Sequence, residues 1–140
     1  MSANMDLVLR WYDRFDHQDL DWIVSSFANN AVVIVGDGDS EGAVPYGGRF
    51  VGIAQIKHYY TGRFLRTGPG AFATLRPFCG IAEGSVRQEF GRWVIIGSTI
   101  TDTHLDRSVI YHGKFLHVWS INPWDGKIAS LSMYFDKAAA

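Results

Sequence analysis

The stretch Asp19-Leu-Asp-Trp-Ile-Val-Ser-Ser-Phe-Ala-Asn-Asn-Ala-Val-Val-Ile-Val35 changes its period partway along. Leu20, Ile23, Val24 and Phe27 recur at helical spacing behind Asp19, which reads as an N-cap, with Asp21 as a first-turn acid at the positive helix end. Asn29-Asn30 then closes the helix, and Ala31–Val35, short and β-branched, reads as a buried strand. Upstream, Met5, Val8, Leu9, Tyr12 and Phe15 mark one face of an earlier helix, which Ser2 or Asn4 can cap. Downstream, Gly36–Gly48 holds five glycines and one proline and reads as a loop. A third helix, from about Ile53 to Arg63, has Ile53, Ile56, Tyr60 and Phe64 on one face. Beyond Thr67-Gly-Pro-Gly70, strands are expected near Phe72–Ala82, Ser85–Phe90, Arg92–Thr101, Val109–Ile121 and Ile128–Phe135. Pro123-Trp-Asp-Gly126 supplies a hairpin turn between the last two. Three helices followed by strands joined through tight turns predict an α+β domain with a mostly antiparallel sheet. No repeat, linker or low-complexity segment divides residues 1–140, so a single domain is expected.

Composition narrows the function. The 140 residues are 47% hydrophobic and 14% aromatic, including five Trp, six Tyr and nine Phe. That is more aromatic surface than a disordered chain carries. A net charge of −1 offers no basic footprint for nucleic acid. No apolar run approaches the ~18 residues of a membrane span. Met1–Asp6 lacks the basic and apolar regions of a signal peptide, which predicts a cytoplasmic protein. The single cysteine, Cys79, flanked by Phe78 and Ile81, reads as a small buried hydrophobe and leaves no internal disulfide.

Chemical motifs are sparse. His17, His58, His104, His112 and His117 form no H-E-x-x-H pattern, and the odd separation of His112 and His117 puts them on opposite faces of a strand. No metal site is therefore expected. Asp37-Gly-Asp-Ser-Glu-Gly42 begins like a calcium loop, but Gly48 stands where the bidentate glutamate belongs. Nucleophile elbows, dinucleotide fingerprints and P-loops are absent, so no cofactor is expected. Acid–base chemistry, or binding in an aromatic pocket, is what the residues leave open.

Three pieces carry a family resemblance: Asp19 to Val33; Pro45-Tyr-Gly-Gly-Arg-Phe-Val-Gly-Ile-Ala-Gln-Ile-Lys-His-Tyr-Tyr60; and His117-Val-Trp119 with Asp125-Gly-Lys-Ile-Ala-Ser-Leu-Ser-Met-Tyr-Phe-Asp136. In this order they resemble the nuclear transport factor 2-like superfamily, in particular its SnoaL-like and ketosteroid-isomerase-like members. The resemblance implies a cystatin-like cone, in which a curved, mixed, mostly antiparallel sheet wraps three N-terminal helices around an apolar cavity. It also implies a homodimer through the outer sheet face. Fold does not give function, so the site residues are compared position by position.

Against the steroid isomerases, Val35 takes the place of the aspartate base and Trp11 that of the oxyanion-hole tyrosine. Leu116 falls near their second oxyanion-hole acid. Epoxide hydrolases and SnoaL-type cyclases keep an aspartate where Met133 stands, and Asp136, three residues on, faces the other way. The familiar reactions therefore lack their groups. Tyr60 matches a tyrosine of the isomerase pocket and is a candidate hydrogen-bond donor, with Tyr12 as another. Asp37 lies two residues beyond Val35, on the same side of a continued strand and nearer the cavity mouth, where a carboxylate can act as a base. The expected pocket lining is Trp11, Tyr12, Phe15, Val35, Tyr46, Tyr60, Leu116, Val118, Leu131, Met133 and Phe135. Tyr46 would close over the mouth. If Leu116 and Val118 point inward, alternation turns His117 outward, but a longer hairpin at Asn122–Asp125 would shift that register and keeps His117 a candidate. The expected partner is a small apolar molecule bearing a carbonyl or hydroxyl. The expected activity is proton transfer by an isomerase, cyclase or lyase; the alternative is non-catalytic binding or dimerisation.

Overall fold

In the computed structural model, which describes residues 3–35, 48–65, 86–104 and 110–135, the chain turns from helix to strand at Ser26. The first helix, α1, spans Ala3–Asp16, and Gln18, at φ 56°, breaks the chain before the next. Asp19 caps α2 (Leu20–Ser25): its carboxylate accepts the Trp22 N–H at 3.2 Å and meets Arg14 Nη1 at 3.2 Å. The helix stops at Ser25, earlier than Asn29-Asn30, because strand pairing captures the next residues. Ser26 C=O accepts the Ile128 N–H at 2.9 Å, and Phe27 pairs with Ile128. Strand β1 therefore covers Phe27–Val35, and its register against the last strand slips between Phe27 and Val32. Asn29 and Asn30 sit in that irregularity, exposed.

Strand β2 (Gly48–Val51) pairs antiparallel with β1, starting at the last residue of the expected loop Gly36–Gly48 and ending before the helix expected from about Ile53. Cross-strand pairing with Val32–Val35 overrides its weak strand signal. Gly52, at φ +83°, then makes the turn into α3 (Gly52–Leu65), a conformation in which a side chain would be strained. The remaining strands are β3 (Val86–Phe90), β4 (Trp93–His104), β5 (Ile110–Ile121) and β6 (Ile128–Phe135). They form one curved six-stranded sheet in the order β2-β1-β6-β5-β4-β3. Among the described strands, only the β1–β6 pair is parallel. The expected α+β class and mixed, mostly antiparallel sheet are observed. The expected strand near Phe72–Ala82 lies outside the described residues.

The helices pack on one sheet face, and the core forms between. Ala31, Val33 and Val35 of β1, Leu131 and Met133 of β6, and Val94 and Ile96 of β4 are buried there with Val8, Ile23 and Ile56 of the helices. Asn4 Nδ2 donates to Gly91 C=O at 3.2 Å and ties the start of α1 to the β3–β4 turn. Among the described residues, no helix is long and apolar enough to cross a membrane. Leu131, fully buried between β1 and β5, is a direct test of this core. Leu131→Ala should cost about 2–5 kcal/mol in urea unfolding, because a cavity remains where the side chain stood.

Candidate functional site

Strand register sets the interior. Val35 pairs with Met133, Met133 with His117 and His117 with Ile96, so these four side chains stand in one row across β1, β6, β5 and β4. The next row is Val33, Leu131, Trp119 and Val94. All eight are buried. The face of β5 is thus the opposite of the one expected from Leu116. His117 is 3% exposed and Trp119 fully buried, whereas Leu116 is 42% exposed and Val118 only half-buried. The reason is a competition between two faces. One carries Leu116, Val118 and Ser120; the other carries His117, Trp119 and Ile121, which bury more apolar surface. A register slip between Ser120 and Ile121 accommodates that choice, and the Ser120 and Ser130 hydroxyls meet at 2.7 Å.

Helix α1 delivers the groups that meet this face. Trp11 and Phe15, one turn apart, stack at 5.1 Å, and Trp11 packs edge-on against Trp119 at 4.9 Å. Tyr12 stacks on the His117 imidazole at 5.7 Å and stands edge-on to Trp119. From α3, Tyr60 joins the cluster against Trp11, Phe15, Phe27 and Phe64. Trp11, Phe15, Trp119 and Tyr60 meet in one ring cluster between helices and sheet.

A polar chain runs through these rings. Trp119 Nε1 donates to the Tyr12 hydroxyl at 3.3 Å, and Tyr12 Oη lies 2.6 Å from His117 Nδ1. Indole is a donor only, so the phenol oxygen accepts from Trp119. With the imidazole proton on Nε2, Nδ1 accepts the Tyr12 O–H; with the proton on Nδ1, the phenol oxygen accepts from both rings. Among the described residues, His117 is the only buried side chain of the Asp, Glu, Lys, Arg and His types. A second polar group is the Trp11 indole, 1% exposed, whose Nε1 has no hydrogen-bond partner among the described residues. Leaving such a donor without an acceptor costs about 1–3 kcal/mol.

The sequence-selected residues divide accordingly. Trp11, Tyr12, Phe15, Val35, Tyr60, Leu131 and Met133 are buried around one interior, and His117 joins them. Leu116 and Val118 turn away from it. Asp37, Tyr46 and Asp136 lie outside the described residues, as does the 37–42 loop, and Phe135 is described only as part of strand β6. The signal for His117 was present in the alternation of Trp119 and Ile121 around it. Among the described residues, no group of three or more His, Cys, Asp or Glu side chains could hold a metal ion. A shallow pocket of about 380 Å³ opens elsewhere, beside β2 and α3, lined by Arg49, Phe50, Ala54, Gln55 and His58.

Tyr12 is the joint of the polar chain. Tyr12→Phe removes the partner of two buried groups and should destabilise the fold by about 1–3 kcal/mol in chemical denaturation. In the unsubstituted protein, ¹⁵N NMR of the His117 ring distinguishes the two tautomers: Nε2–H makes Tyr12 the donor to Nδ1, and Nδ1–H makes the phenol oxygen the acceptor from both rings.

No protein-family model and no curated protein matches the chain. Solved structures do. TerC, crystallised with polyporic acid, superposes with a TM-score of 0.68 at 23% identity, covering 96% of this chain and 92% of TerC. A nuclear transport factor 2-like protein of unknown function from Burkholderia pseudomallei gives 0.69 at 22% identity, over 99% of this chain and 94% of its own. A cystatin-fold protein from Novosphingobium aromaticivorans gives 0.65 at 16% identity, over 95% and 98%. With its helices against one curved mixed sheet, the chain has the nuclear transport factor 2-like fold.

Proposed function

We propose that the interior of the sheet binds a compact, largely apolar molecule and that the Tyr12–His117 pair moves a proton to or from it. The observation carrying this reading is the 2.6 Å contact between a phenol and an imidazole inside an aromatic enclosure. Histidine is the side chain best matched to proton transfer near neutral pH. A proton leaving Nε2 for a ligand oxygen is replaced at Nδ1 by the Tyr12 phenolic proton. The phenolate so formed keeps the Trp119 N–H as its donor, and the reverse shift restores the pair. Asp37 is the complementary base in this reading, taking the carbon-bound proton, with Tyr60 as a further hydroxyl. An isomerase, cyclase or lyase reaction would use such groups without a metal or nucleotide. That TerC was co-crystallised with polyporic acid lends support to a small-molecule ligand for this fold.

Exchange of the α-hydrogens of 1-tetralone in D₂O, followed by proton NMR, tests the reading without a known substrate. The protein should accelerate exchange over buffer, and His117→Phe and Asp37→Asn should each reduce that acceleration by about 10²–10⁴-fold. Exchange no faster than in buffer would remove the catalytic reading.

The second reading, a binding and dimerising module, is favoured by the outer sheet face. Leu116 pairs with Tyr134, and Phe90 with Trp93, and all four are more than 40% exposed in the single chain, at 42%, 43%, 58% and 46%. A second copy placed on this face would cover them, given an interface of about 800 Å² per partner. Sedimentation should then show a dimer that Leu116→Glu converts to a monomer; a wild-type monomer at tens of micromolar would exclude it.

A further inference from the structure

The hollow beside β2 and α3 is lined by groups of one chemical sense. Strand β2 is the edge of the described sheet, and Gly52 turns the chain from it straight into α3. Arg49 and Phe50 of the strand and Ala54, Gln55 and His58 of the helix therefore border one space of about 380 Å³, a volume that suits a small ligand. Phe50 is half-buried, and its ring centre lies 4.6 Å from that of Tyr59, which is held in the core, so the apolar wall is braced from behind. Gln55 Oε1 accepts the Val51 N–H at 2.8 Å, which engages the acceptor end of the amide and leaves its NH₂ donors. Arg49 adds a guanidinium, His58 a ring N–H, and the first turn of α3 its positive dipole end. No carboxylate lines this hollow, and Arg49 makes no ion pair among the described residues.

We infer that this hollow is a binding site for a small aromatic carboxylate, separate from the interior. A flat ring covers Phe50 and Ala54, while the carboxylate meets the planar fork of Arg49 and the Gln55 amide donors. Inorganic phosphate would leave the Phe50 wall uncovered, and a cation would be repelled by Arg49. Arg49, Gln55 and His58 are exposed, so the bound carboxylate keeps part of its hydration and the ion pair by itself supplies only about 0.2–1 kcal/mol. Covering the apolar wall supplies the remainder. Nothing in this site involves Tyr12 or His117, so it stands or falls independently of proton transfer in the interior.

The test compares 2-naphthoate with 2-naphthylmethanol, the neutral alcohol of the same bicycle, by ¹H–¹⁵N NMR titration of the unsubstituted protein and of Arg49→Gln. In the unsubstituted protein, 2-naphthoate should shift the backbone amides of Phe50, Ala54 and His58 and the side-chain NH₂ of Gln55. The alcohol should bind the same residues about fivefold more weakly. Arg49→Gln should lower the affinity for 2-naphthoate to that for the alcohol and leave the alcohol unaffected. The comparison of the two compounds on the unsubstituted protein stands even if the variant fails to fold. Equal affinities for acid and alcohol overturn the inference, as does an affinity for 2-naphthoate that Arg49→Gln leaves unchanged. Shifts confined to the Trp119 indole and Tyr12 would assign the acid to the interior and overturn it too, and so would the absence of any shift up to the solubility limit.

Discussion

The register of β5 is the constraint on which the interior depends. A strand shows alternate residues to alternate faces, so one slip inverts every side chain along it. Here the hairpin at 122–127 and the irregularity between Ser120 and Ile121 bring His117 and Trp119 under α1. Lys127 C=O accepts the Asn122 N–H at 2.7 Å, and Gly126, at φ 69°, completes the turn. From that register follow the tyrosine–imidazole contact, the indole donation to the phenol, and the exposure of Leu116 on the far side. Were β5 shifted by one residue, Leu116 and Val118 would line the interior and the histidine would meet solvent.

The aromatic content has a mechanical explanation once the packing is seen. Two rows of strand side chains and three helices must be joined across one face, and wide rings span that gap with few residues. Trp11 and Phe15 do so as an i, i+4 pair from one helix, and Tyr60 reaches the same cluster from another. Rings also carry polar tips into the interior at small cost when those tips find partners. Tyr12 and Trp119 have found theirs. This is how a domain with little buried charge among its described residues brings a phenol and an imidazole together in its interior.

Local pattern made much of the fold legible. The stripe of Met5, Val8, Tyr12 and Phe15 placed α1, and the apolar run bounded by Asp125-Gly126 placed β6 at Ile128–Phe135, the bounds the structure shows. Errors arose where distant pairing competes with local preference. Phe27 fits the helical period of α2, but Ile128, a hundred residues away, holds it in a strand. Gly48–Val51 has little strand character alone and acquires it from β1. The site was half legible for the same reason. Helical spacing put Trp11, Tyr12 and Phe15 on a buried face, while the partner of Tyr12 depended on a contact spanning 105 residues.

The sequence by itself determined an α+β chain, the order and approximate span of most described elements, and the burial of an aromatic helix face, because each rests on periodicity within a few neighbouring residues. The tertiary structure alone decided which face of β5 turns inward, and so brought His117 to Tyr12 and left the Trp11 indole without an acceptor among the described residues. Alternation tells that a strand has two faces but not which one is the core. That choice is made by the apolar area each face can bury against the helices, a quantity that exists only once the elements are packed together.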